Sequence, residues 1–224
     1  MNTFYLKLIA IITMLIDHIA AVFVPSDTLL WLIMRSIGRL AFPIFVFLIV
    51  EGFHHTSDVK KYLMRLGAFA LISEIPFDLA FYGKVLEGTH QNVFFTLFLG
   101  LLLITLMSLV EKKFQKKVFV SNLLDGLLTL AFCTIALLLR TDYNFAGILL
   151  IVAFYLFRGS KPIITLALVI VTATILGSIN ILATFAMIPI AFYNGQKGKN
   201  IKFVFYIFYP AHLIIIALIK IFLL

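Results

Sequence analysis

The chain has 224 residues, 63% of them hydrophobic, with 18 basic and 10 acidic side chains and a formal charge of +8. Its mean hydropathy is +1.14. Soluble domains are about half apolar and a quarter charged, so this composition excludes a water-soluble globular fold. Cys133 is the single cysteine and lies in an apolar run, which excludes a disulfide framework and a Cys-rich metal or iron–sulfur site.

A spanning helix takes about 20 apolar residues. In chain order the apolar runs predict spans at 4–24, 29–53, 63–82, 92–110, 122–139, 143–157, 163–177, 180–193 and 203–222. The expected fold is therefore all-α: a single-domain polytopic membrane bundle over residues 1–224 with about nine transmembrane helices. The first run has the look of a secretory signal, with Lys7 near its start, but its length and the embedded Asp17-His18 pair argue for a retained span. With alternating spans, Lys60, Lys61, Lys112, Lys113, Lys116, Lys117, Arg158, Lys161, Lys197, Lys199 and Lys202 share one side, and the opposite loops hold only Lys84 and Arg140. The basic side is then cytoplasmic, with the N-terminus inside and the C-terminus outside. The basic residues report orientation in the lipid bilayer and do not point to nucleic acid. No internal repeat is evident, which counts against an inverted-repeat transporter.

Charges inside hydrocarbon cost about 2.5 to 3.5 kcal/mol each, so those retained at mid-span must be paired or used. At about 1.5 Å per residue, Asp17 and His18 lie roughly 10 Å below the outer end of the first span. Arg35 and Arg39, one turn apart on the second span, lie at roughly 10 and 16 Å, and Glu74 and Asp78, one turn apart on the third, at roughly 13 and 6 Å. Matching depths predict an interhelical ion-pair ladder of Arg35/Arg39 with Glu74/Asp78, or a direct functional role for the same groups. His18, beside a carboxylate, is a proton-transfer candidate, because imidazole titrates near neutral pH. Adjacent helical residues diverge by about 100°, so Asp17 need not touch His18, and which of the two is the chemical group stays open. His212 follows Tyr209-Pro210 in the last span and reads either as a cap on a carbonyl freed by the proline or as a substrate contact. Asn92 with Thr96, and Asp142 with Tyr143, line the same outer vestibule or cap helices there.

A second polar group lies at the cytoplasmic ends. Glu51, His54, His55, Thr56 and Arg65 close the second and third spans, and Tyr193-Asn194-Gly195-Gln196-Lys197-Gly198-Lys199 joins the last two. Two glycines among amide and basic side chains let backbone N–H groups approach a phosphate, and the plain alternative is a positive-inside loop with turn glycines. The pattern lacks the spacing of a nucleotide fingerprint, and His54-His55 is too sparse for a metal. Phosphate-friendly loops inside and a His/carboxylate cluster in the outer half suggest a donor held from the cytoplasm and an acceptor reached from outside. Acyl transfer from a coenzyme A thioester meets that geometry: His18 with Asp17, Glu74 or Arg39 can supply the base and the oxyanion donor, and His18, oriented by Asp17 or Glu74, is the expected base. No nucleophile elbow is present, which favours direct transfer.

The segments Leu8-Ile9-Ala10 through Met14-Leu15-Ile16-Asp17-His18, Gly38-Arg39-Leu40-Ala41-Phe42-Pro43-Ile44-Phe45 with Glu51-Gly52-Phe53, Ser73-Glu74-Ile75-Pro76-Phe77-Asp78, Gln91-Asn92-Val93-Phe94-Phe95-Thr96, Tyr193-Asn194-Gly195 and Phe208-Tyr209-Pro210-Ala211-His212-Leu213 resemble those of the TraX family. The resemblance runs from the first span to the last. The family is associated with N-terminal acetylation of pilin and is similar to transmembrane acyltransferases that use acetyl-CoA, so the resemblance implies an acyltransferase of a bacterial cytoplasmic membrane but not its acceptor. It also implies that Asp17, His18, Arg39, Glu74, Asp78, Asn92 and His212 are the family's polar signature.

The resulting expectation places His18, Asp17 and Glu74 in catalysis. Asp78, Asn92, Arg39, Tyr209 and His212 would face the acceptor, an extracytoplasmic pilin, peptide or glycan. Arg65, Tyr193, Asn194, Gly195, Lys197 and Lys199 would hold acetyl-CoA, with no metal. Two rivals use the same residues: a proton-coupled transporter with Asp17, His18, Glu74 and Asp78 as a relay, and a scaffold whose charges only fix helix pairing.

Overall fold

The computed structural model describes residues 1–199 and 202–223; the side chain of Lys202, counted above among the basic residues, lies outside the described residues. The chain is all-helical, and each predicted span has a helical counterpart. Helix α1 is Thr3–Phe23, α2 Leu29–Gly38, α3 Ala41–His55, α4 Val59–Tyr82, α5 Val93–Lys113, α6 Val118–Leu138, α7 Asn144–Leu156, α8 Lys161–Val171, α9 Met187–Ala191 and α10 Lys202–Leu223. Among the described residues five stretches are long and apolar enough to cross a membrane: Thr3–Phe23, Leu29–His55, Val93–Lys113, Val118–Leu138 and Phe203–Phe222. The helix α4, with 24 residues, has the length but carries Lys60, Lys61, Arg65, Glu74 and Asp78. These features define a multi-pass helical membrane protein.

Local chemistry sets the ends. Asn2, Thr28, Asp58 and Asn92 each accept backbone N–H groups from the first turn that follows, the role of short polar side chains at N-caps. Gly83 ends α4 in the left-handed region at φ 67°. The predicted second span is not one helix, because Pro43 lacks the N–H that would bond the carbonyl of Arg39. It breaks between α2 and α3 at Arg39–Leu40, which turns the Arg39 side chain back so that its Nε donates to the carbonyl of Arg35 at 3.2 Å. The predicted spans at 163–177 and 180–193 are also irregular: α8 runs on as a wide π-type turn over Thr172–Leu176, Gly177 reverses the chain at φ 90°, and a 3₁₀ stretch, Ser178–Ala186, leads into α9.

The core lies between α1, α3, α4, α5 and α7, where Leu6, Ile44, Leu66, Leu101, Ile104 and Ile151 are fully buried. Lipid tails are as apolar as leucine, so such helices associate by close packing. Gly100 of α5 gives room to Ile151 of α7, and Gly147 of α7 sits against Thr96 and Phe42.

Contacts sort the loops into two ends of the bundle. At one end the carbonyl of Met1 accepts from Asn194 N–H at 2.9 Å, Lys161 donates to the carbonyl of Ala191 at 2.8 Å, and Arg158 pairs with Glu51 at 2.6 Å. At the other, Gln91 N–H donates to the carbonyl of Arg140 at 3.0 Å and Lys220 to that of Ala80 at 3.1 Å. The first end holds the basic loops and the second the sparsely charged ones, as alternation of the predicted spans requires.

Candidate active site

A cavity of about 430 Å³ opens at the basic end. Its mouth is formed by Lys7, Arg65, Gly195, Lys197, Gly198 and Lys199, its middle by Phe45, Tyr62 and Phe205, and its floor by Met14, Val93, Phe94, Leu97 and Tyr209. Polar groups thus ring the opening, and the deep part is aromatic and aliphatic. The mouth loop is fastened to α1: Thr3 N–H donates to the carbonyl of Gln196 at 2.9 Å, and the Thr3 hydroxyl donates to that of Lys197 at 2.7 Å. Gly195 and Gly198 hold φ of 78° and 66°, where a side chain would be strained, and a Cβ at Gly198 would also strike the Asn2 side chain.

Of the residues expected at the donor, Arg65, Tyr193, Gly195, Lys197 and Lys199 line this cavity. Asn194 instead shapes the loop, its side-chain oxygen accepting from Gln196 N–H at 3.2 Å. Arg65 lies 5.5 Å over the Tyr62 ring, and its Nε is buried without a hydrogen-bond partner. Glu51, 7% exposed, anchors the rim through Arg158.

Beyond the floor lies the imidazole pair. His18 Nδ1 and His212 Nε2 are 2.7 Å apart, and His212 Nδ1 is 2.7 Å from the carbonyl of Phe208. The Tyr209 ring, which lines the cavity, sits 6.0 Å from His18 and 5.5 Å from His212, so Tyr209 touches both the cavity and the pair. Met14 on the cavity floor and His18 beyond it are one turn apart on α1, hence on one face. The Phe81 ring meets His18 edge-on at 5.3 Å.

The expected ladder is not formed. Arg35 Nη1 donates to Asp17 Oδ2 at 2.6 Å, and Arg39 Nη2 to Asp17 Oδ1 at 2.6 Å, so both arginines of α2 share the carboxylate of α1. The packing explains it: α2 lies along α1, a Cβ at Gly38 would run into the Asp17 side chain, and α4 packs against α10 and α5 instead. Glu74 pairs with the side-chain amide of Asn92, and Asp78 Oδ2 accepts from Glu87 N–H at 2.7 Å. Asn92 also donates to the carbonyl of Ala70 at 2.8 Å and caps α5, which realises the cap alternative. Neither Asp17 nor Glu74 hydrogen-bonds His18; the partner is His212. His212 bonds the carbonyl of Phe208, whereas the one Pro210 frees, four residues back, belongs to Tyr206, so the proline-cap reading is also revised.

Two members of this region were missing from the expected site. Asn180 accepts from Arg39 Nη1 at 3.2 Å and donates to the carbonyl of Leu176 at 2.6 Å, and Arg35 shares Asp17. The available signal for Asn180 was a lone amide in an apolar run just after Gly177. Ser73, Thr96 and Thr141 are fully buried, with hydroxyls that have no hydrogen-bond partner among the described residues. Among the described residues, no group of three or more His, Cys, Asp or Glu side chains could hold a metal ion.

Fold and site together define a polytopic membrane protein with a basic-mouthed cavity next to a buried His/Asp/Arg cluster. The sequence profile described as "TraX protein" matches residues 3–220, and the chain belongs to the TraX family. It is 29% identical over 254 residues to the "Probable fimbrial assembly protein FimC, serogroup H1" of Dichelobacter nodosus, covering 99% of this chain and 97% of that protein. No solved structure matches.

Proposed function

We propose that this protein is an integral membrane acyltransferase that moves an acetyl group from cytoplasmic acetyl-CoA to an amine or hydroxyl at the outer side of the membrane. One observation carries the reading: a single cavity connects a basic, glycine-containing mouth to Tyr209, whose ring touches the His18–His212 pair. The charged mouth suits the phosphates of the donor, and the apolar depth of the cavity suits its thioester arm. Along α1 the distance from Thr3 at the mouth to His18 is roughly 22 Å.

His18 is the general base. The acceptor's nitrogen or oxygen bonds to the thioester carbonyl carbon, and its proton passes to His18. The C–S bond breaks, and the thiolate takes up that proton and leaves as the free thiol. Two guanidiniums on the single carboxylate of Asp17 leave a net positive charge beside the pair, suited to a developing oxyanion. Glu74, Asp78 and Asn92 form a separate acidic wall, placed to receive an acceptor such as a pilin N-terminus, a peptide or a glycan. The relative's printed name, a fimbrial assembly protein, supports a surface acceptor.

The same reading takes all nine helical segments as crossings of a bacterial cytoplasmic membrane, with the N-terminus and basic end inside. Purified protein in nanodiscs should bind radiolabelled acetyl-CoA and transfer label to an added amine or hydroxyl acceptor. Solute flux without any use of acetyl-CoA would replace this reading by the transporter. Cysteines placed at Ser26 and Lys116, with Cys133 changed to Ser, should react from opposite sides; reaction of both from one side would overturn the orientation.

A further inference from the structure

In a neutral imidazole one nitrogen carries a proton and the other a lone pair, and their partners decide which. His212 Nδ1 faces the carbonyl of Phe208 at 2.7 Å. A carbonyl has no proton to give, so this Nδ1 is the protonated nitrogen and His212 Nε2 is bare. His212 Nε2 lies 2.7 Å from His18 Nδ1, so the proton of that contact belongs to His18. The two rings are 5.0 Å apart at an interplanar angle of 15°. With nitrogens at 2.7 Å, that separation sets the rings end to end in nearly one plane, the geometry of an N–H···N hydrogen bond and not of a face-to-face stack.

We infer that His212 is a positioning residue that fixes His18 with its proton on Nδ1, leaving the Nε2 lone pair as the nitrogen that accepts the acceptor's proton. Among the described residues no hydrogen bond engages His18 Nε2. Asp17 does not compete for this role, because both its oxygens are held by Arg35 and Arg39. Aromatic rings hold the relay in register: Phe208 lies 4.9 Å from His212 and Phe81 stands edge-on to His18. When His18 Nε2 takes the proton, its Nδ1–H shifts toward His212 Nε2 and the charge spreads over both rings. When Nε2 returns the proton to the leaving thiolate, the neutral pair is restored. A second imidazole thus takes the part that a carboxylate takes in a Ser-His-Asp triad.

The catalytic half rests on the acyltransferase reading, and the tautomer does not, so the two are tested separately. Histidine-¹⁵N-labelled protein in nanodiscs, with the His18 signals assigned by their loss in His18→Ala, should show Nδ1 protonated and Nε2 unprotonated. The reverse assignment overturns the inference whether or not acetyl-CoA is turned over. In the transfer assay His212→Gln, whose amide oxygen can accept from His18 Nδ1–H, should keep kcat within about tenfold of the parent. His212→Leu should lower kcat by about 10²-fold with KM for acetyl-CoA unchanged. Equal activity of the Gln and Leu variants would also overturn the positioning role.

Discussion

The two polar regions of this protein handle charge in opposite ways. At the mouth, Lys197 and Lys199 carry no ion pair among the described residues, and water reaches them. In the half of the bundle away from the basic end, Asp17 is matched to two arginines, Arg39 also to Asn180, and Glu74 to Asn92. The reason is solvation: a charge that keeps its water needs no partner, whereas one in hydrocarbon must find one within the protein. The His18–His212 pair stands apart, with each ring hydrogen-bonded to the other and, among the described residues, no carboxylate on either. Two neutral imidazoles can be buried cheaply, yet either can take a proton. In the deep region, then, the ion pairs of Asp17 with Arg35 and Arg39 build the frame, and the proposed chemistry falls to a pair of rings that carries no formal charge.

Four expected outcomes test that contrast. The largest belongs to the uncharged pair: His18→Ala should cut transfer by about 10² to 10⁴-fold while acetyl-CoA binding and thermal stability stay near the parent. Substantial residual turnover would move the base to Glu74, Asp78 or His212. Removing the shared carboxylate should instead strike the frame. Asp17→Ala leaves two guanidiniums uncompensated and should destabilise by about 3 to 5 kcal/mol, read as lower yield and lower melting temperature in detergent. If Asp17→Ala melts like the parent but is inactive, Asp17 acts in the chemistry and the contrast fails.

At the mouth the effect should be on affinity alone. Lys197→Ala with Lys199→Ala should weaken acetyl-CoA binding by about tenfold at low salt, and by less as screening shortens the range of the field. Unchanged affinity at low salt would move the phosphate site to Arg65, Lys60 and Lys61. The smallest change is expected at Asn180→Ala, which removes one hydrogen bond from Arg39 already held by Asp17. It should cost about 1 kcal/mol of stability and leave donor affinity intact, and a loss of several kcal/mol would make Asn180 part of the frame.

The sequence by itself determined that this is a helical membrane protein, because composition and run length leave no other way to satisfy the backbone in lipid. It also showed which runs become helices and which end is basic, and it ordered the polar side chains along each run at about 1.5 Å of rise per residue, but not the break at Arg39–Leu40 or the irregular turns after α8. Depth could not choose partners. Asp17, Arg35, Arg39, Glu74 and Asp78 all lie in the half away from the basic loops, and their rises along the chain are equally compatible with several pairings. Only the lateral packing, with α2 against α1 across Gly38 and α4 against α10 and α5, gave both arginines to Asp17 and left Glu74 to Asn92. The meeting of His18 with His212 was hidden for the same reason. They are 194 positions apart in the chain, and rotation about each helix axis, set by the neighbours it packs against, decides whether two rings at one level touch.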